Sequence, residues 1–86
     1  MKILTMEEIS KKVAKASSDS YLIKVGENVK SLRIKNKLTQ EDVAFFIFTN
    51  KSMISALERG AYNNITIGTL ARLAELFKVP IQELLI

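Results

Sequence analysis

Eighty-six residues suffice for one compact domain and fall short of two, and 48% hydrophobic residues with one Pro and three Gly supply a core. Neither Cys nor His is present, which excludes disulfides, thiol nucleophiles, Cys/His metal sites and imidazole-based triads; no cofactor, no metal and no enzyme activity are expected. The net charge is +4, and residues 1–37 carry nine Lys or Arg against Glu7, Glu8, Asp19 and Glu27, a balance that suits a polyanionic partner and an ordinary basic surface alike.

In chain order, Thr5 with Glu8 three positions on reads as a capping box, and Met6, Ile9, Val13 and Ala16 follow at helical spacing. This predicts an amphipathic helix of about three turns, marginal alone, that needs a surface to pack on. Ser17-Ser18-Asp19-Ser20 reads as a polar linker, so residues 1–20 are expected to form an N-terminal helical extension and 21–86 the main domain. Thr5, Glu7 and Glu8 interrupt any signal-peptide core. The longest apolar run, residues 43–48, is far below the ~18 residues of a membrane span, so a cytoplasmic protein without a membrane contact is expected.

The next helix is predicted over about residues 21–36, with Val25, Val29 and Leu32 as its stripe and a break at Asn36-Lys37. Thr39 caps a short helix with Asp42 at its third position and Val43, Ala44 and Ile47 facing inward. After a turn at Phe48-Thr49, Asn50 caps another short helix with Ile54 and Leu57 inward, which Gly60 ends in the position favouring a left-handed residue. A polar loop with Asn63-Asn64 leads to Thr66, which caps a helix over residues 67–77 with Leu70, Leu73, Ala74 and Phe77 as its stripe. Val79-Pro80 breaks that helix, and a final turn or two follows. The fold class is all-α.

Two short helices joined by a three- or four-residue turn, here residues 39–47 and 50–58, form a helix-turn-helix, which presents its second helix to a DNA major groove. Leu38-Thr39-Gln40-Glu41-Asp42-Val43-Ala44 followed by Asn50-Lys51-Ser52-Met53-Ile54-Ser55-Ala56-Leu57-Glu58-Arg59-Gly60 resembles the helix-turn-helix of the Cro and phage-repressor (XRE) family. Val25-Gly26, Val29 and Leu32-Arg33 resemble that family's first helix. Thr69-Leu70-Ala71-Arg72-Leu73-Ala74 and Val79-Pro80-Ile81-Gln82-Glu83-Leu84 resemble its last two. The resemblance covers about residues 22–85 and implies a lambda-repressor-like five-helix bundle, to which the N-terminal amphipathic helix is an addition.

The resemblance also implies roles. Asn50, Lys51, Ser52, Ser55 and Ala56 occupy positions that face base edges; Lys51 suits guanine O6/N7, and Ala56 only a thymine methyl. Thr39, Gln40, Arg59, Asn63 and Asn64 fall where the family places phosphate contacts, and Arg33 with Glu58 where relatives often join the first helix to the recognition helix. Each has a plainer reading beside it: Asn50 as a helix cap, Lys51 as a solvated lysine, Arg59 as a cation complementing a helix C-terminus.

Three phenylalanines depart from the family pattern. Phe48 stands where the turn usually has a small residue, so it must either accept a left-handed backbone, at roughly 1–2 kcal/mol, or lengthen the preceding helix. Phe45 and Phe46 stand where relatives carry solvent-facing charge, and a face of three phenylalanines asks for a cover. The N-terminal helix, from the same subunit or a partner's, is one; a protein such as a toxin is the other. The apolar end at Ile81, Leu84, Leu85 and Ile86 serves equally as a symmetric interface or as core closure. The expected function is therefore a sequence-specific DNA-binding transcriptional regulator, a repressor acting as a homodimer on double-stranded DNA. Its alternatives are an antitoxin or adaptor binding through Phe45, Phe46 and Phe48, and a restriction-modification controller.

Overall fold

The computed structural model describes residues 18–86. Four α-helices, α1 (Ser18–Lys35), α2 (Gln40–Phe46), α3 (Lys51–Glu58) and α4 (Ile67–Phe77), are followed by one 3-10 turn (Ile81–Leu84). Among the described residues there is no strand, so the fold is all-α as expected, with the fifth helix of the bundle reduced to the 3-10 turn. The predicted helix capped by Thr5 lies outside the described residues. Ser18, Asp19 and Ser20, expected as linker, instead form the first turn of α1. Small polar and acidic residues suit a helix N-terminus as well as a loop, and that ambiguity misplaced the boundary.

The predicted stripes meet in one core: Val25 and Val29 from α1, Val43, Ala44 and Ile47 from α2 and its end, Ile54 and Leu57 from α3, and Leu70, Leu73, Ala74 and Phe77 from α4. Leu84 completes it and is fully buried, so the C-terminal turn closes the core, while Ile81 and Leu85 are half-buried and Ile86 is exposed. Asn28 on α1 fixes that turn, its Nδ2 donating to the carbonyls of Leu84 at 2.9 Å and Ile86 at 3.2 Å. No helix among the described residues is long and apolar enough to cross a membrane.

All four helices stop in the same way. One or two residues past each helix end the backbone turns left-handed, and the following N–H reaches back five residues: Leu38 to Arg33 O, Thr49 to Ala44 O, Ala61 to Ala56 O and Val79 to Ala74 O, at 2.9–3.0 Å. Gly60 fills the left-handed position after α3 (φ 72°), but Lys37, Phe48 and Lys78 do so elsewhere (φ 57°, 62° and 56°). Of the two options open to Phe48, the chain takes the strained backbone and keeps α2 short. Lys78 makes the cost measurable, because its side chain is exposed and only its backbone serves the cap. Lys78→Gly is expected to raise stability by about 0.5–1 kcal/mol, the strain relieved less the added freedom of the unfolded chain. A higher midpoint of chemical denaturation at unchanged m-value checks this.

Candidate nucleic-acid interface

The first turn of α3 owes its exposure to how the rest of that helix is held. Asn50 sits in extended backbone and its Oδ1 accepts the Met53 N–H at 2.9 Å, which starts the helix at Lys51. Ile54 and Leu57 are buried one turn further on. At the C-terminal end, α1 passes so close that a Cβ on Gly26 would overlap the Leu57 carbonyl oxygen and lie 2.8 Å from that of Glu58; only glycine allows this contact. Lys51 and Ser52 are left exposed at the free end, with Ser55 and Ala56 half-buried behind them.

A polar network locks the rear of α3 to its neighbours. Arg33 on α1 donates from Nε to Glu58 Oε2 at 2.6 Å and from Nη2 to Oε1 at 3.1 Å, and its Nη1 donates to the Leu38 carbonyl at 2.9 Å. Gln40 Nε2, on α2, donates to the same Glu58 Oε1 at 3.1 Å. The Glu58 side chain is only 3% exposed, yet every acceptor position that matters is occupied. The hydrogen bond and charge of Glu58 push the Arg33 guanidinium above its already high pKa, against the opposing effect of burial. One carboxylate thus joins α1, α2 and α3.

The start of α2 is fixed by a reciprocal cap: Thr39 Oγ1 accepts the Asp42 N–H at 3.0 Å, and the Thr39 N–H donates to Asp42 Oδ2 at 2.8 Å. The bond from the Thr39 backbone N–H, then that from its hydroxyl, hold the Asp42 carboxyl below the usual carboxylate range. A depressed native pKa stabilises the fold fully above the ordinary value of about 4, and that contribution fades as pH falls through the native pKa. Asp42→Asn is therefore expected to lose less stability than the wild type between pH 7 and pH ~3, measured by denaturant titration at each pH. An equal acid-induced loss in both proteins would contradict the cap.

Two short helices, each capped at its N-terminus and joined by a left-handed turn at residues 47–50, pack with the second helix's free end projecting. A family model described as a helix-turn-helix domain matches residues 26–85. The chain belongs to the helix-turn-helix domain family. No curated protein matches the sequence. Among solved structures, the high-resolution crystal structure of the restriction-modification controller protein C.AhdI from Aeromonas hydrophila is similar at 30% identity, covering 73% of this chain and 94% of that one with a TM-score of 0.68. The resemblance to the Cro and phage-repressor type of helix-turn-helix holds on these findings, and family membership supports a DNA-binding regulator.

Within the helix-turn-helix, the residues singled out from sequence take distinct positions. Lys51, Ser52 and Asn50 gather at the free end of α3, and Thr39 and Gln40 at the adjoining start of α2. Arg59, Asn63 and Asn64 follow α3 as exposed residues on the loop side. The Thr39 backbone N–H and one Gln40 amide hydrogen are already committed to Asp42 and Glu58. Sequence reasoning missed the Gln40–Glu58 bond and the approach of Glu41 to Lys51. Glu41 Oε1 in fact lies 3.9 Å from Lys51 Nζ, and no local periodicity announces a contact made across a turn.

The phenylalanine face of the helix-turn-helix is open among the described residues. Phe45 is 79%, Phe46 54% and Phe48 84% exposed. Phe45 and Phe46 meet edge to face with centroids 6.0 Å apart, and the Arg72 guanidinium lies 5.6 Å from the Phe48 ring. The expected cover, the N-terminal helix, falls outside the described residues.

Proposed function

We propose that the protein is a sequence-specific DNA-binding transcriptional regulator that binds operator DNA as a homodimer and represses by excluding polymerase. The observation that carries this reading is the exposed first turn of α3, held from behind by Ile54, Leu57 and the Arg33–Glu58 pair. A rigid, projecting helix end is what entry into a major groove requires. In this reading Asn50, Lys51, Ser52, Ser55 and Ala56 face base edges. Lys51 takes guanine O6/N7, and Asn50 offers its amide hydrogens while its oxygen caps the helix. Thr39, Gln40, Arg59, Asn63 and Asn64 bind phosphate; Gln40 has a second amide hydrogen and an unpaired first-turn N–H for this.

One such module offers few phosphate cations, so affinity comes from two acting together on half-sites about 34 Å apart, one helical turn. Ile86 and the half-buried Ile81 and Leu85 form the apolar surface available to a second subunit. A second reading, control of a restriction-modification system, is favoured by the likeness to C.AhdI over almost all of that chain. A third, an antitoxin or adaptor, is favoured by the exposed Phe45, Phe46 and Phe48.

Selection of duplexes from a random pool tests the proposal. Enrichment of a twofold-symmetric sequence is expected, and it would match sequence upstream of a modification or endonuclease gene under the second reading. A pool without enrichment at low salt contradicts both DNA-binding readings and leaves the protein-binding one.

A further inference from the structure

Lys51, the cation at the tip of α3, has an acidic neighbour whose role the cap and core do not explain. Glu41 Oε1 lies 3.9 Å from Lys51 Nζ, and the two side chains are 76% and 62% exposed. The other nearby carboxylates have structural partners: Glu58 binds Arg33 and Gln40, and Asp42 binds Thr39. Glu41 and Lys51 face one open groove of about 480 Å³ that Arg33, Thr39 and Gln40 also line. A carboxylate there opposes approach of any polyanion, whatever its sequence. Such a group raises selectivity only when the right sequence compensates it.

Resting on the DNA-binding reading above, we infer that Glu41 is a specificity-determining residue of the protein. In a sequence-independent complex, Glu41 both repels the phosphate strand and competes with it for Lys51. At the right base step, Lys51 moves to guanine O6/N7, and the Glu41 carboxylate accepts from the N4 amino group of a cytosine at or beside that step. Only there does the acid gain a donor in place of the lysine it gives up. The ion pair itself is an exposed one, which makes Lys51 easy to release. The repulsion persists in every other complex. Lys51 and Glu41 together thus read one donor and acceptor pattern, the lysine by attraction and the glutamate largely by rejecting alternatives.

The test is Glu41→Gln in the full chain, with affinities measured by fluorescence anisotropy on the pool-selected duplex and on a random-sequence duplex across a salt series. The random duplex is expected to bind about fivefold more tightly, the effect of removing one charge interaction across water at ~4 Å. Its log–log salt slope steepens by about 0.9 as Lys51 becomes available to phosphate. Affinity for the selected duplex stays level or weakens, so the ratio of the two falls at least about fivefold. Repeating the pool selection with Glu41→Gln is expected to lose a cytosine preference. Equal tightening on both duplexes, or an unchanged ratio, overturns this inference alone. A wild-type chain that selects no sequence overturns the DNA-binding reading itself, before any variant is made.

Discussion

Replacing Arg33 by Ala is expected to lower stability by about 3 kcal/mol, because it leaves the Glu58 carboxylate buried with Gln40 as its sole side-chain partner. Burial of an unpaired charge costs about 3–5 kcal/mol, and the low end applies since the Arg33 side chain is 14% exposed and water can reach the gap. For a domain of this size the melting temperature should drop by roughly 12–24 °C. Combining Arg33→Met with Glu58→Leu should recover most of the loss, since apolar replacement of both partners removes the stranded charge. A double variant as unstable as Arg33→Ala would show that the pair stabilises by attraction rather than by satisfying Glu58.

The second large effect falls on binding and leaves the fold intact. Lys51 is exposed and takes part in neither cap nor core, so Lys51→Glu should unfold at the wild-type denaturant concentration. Its affinity for the selected duplex should fall by about 3 kcal/mol, more than a hundredfold, through loss of the guanine contact and repulsion of the nearest phosphate. Lys51→Met separates the two contributions: the base contact goes without the repulsion, and the loss should be about 1–2 kcal/mol. Anisotropy titrations at one fixed salt concentration decide this. A tenfold or smaller effect of Lys51→Glu would place Lys51 away from the DNA.

What was legible in the sequence is what depends on near neighbours. Thr39, Asn50 and Thr66 cap their helices through bonds to residues three positions on, and Gly60 takes its left-handed turn within a single residue. The inward stripes were legible for the same reason, since helical periodicity alone selects Val43, Ala44 and Ile47 or Leu70, Leu73, Ala74 and Phe77. The start of α1 was not: serines and an aspartate serve a linker and a first turn equally well. Contacts made between helices were not legible either, except Arg33 with Glu58, which the family resemblance implied. Gly26 reads as a lone helical glycine until α3 is placed against it, and Gln40 meets Glu58 across eighteen residues. Among the candidate site residues, pattern placed Lys51 and Ser52 in a helix's first turn. It did not announce the approach of Glu41 to Lys51, which is made across the turn where Phe48 is left-handed.

The central claim is that the first turn of α3 enters the major groove, and amide and side-chain NMR on the pool-selected duplex tests it most directly. Intermolecular contacts from Lys51, Ser52 and Ser55 protons to guanine H8, thymine methyl or cytosine H5, all of which line the major groove, are the predicted result. Contacts confined to sugar protons of the minor groove, or the largest shifts falling on Phe45, Phe46 and Phe48 with α3 unmoved, would contradict the account.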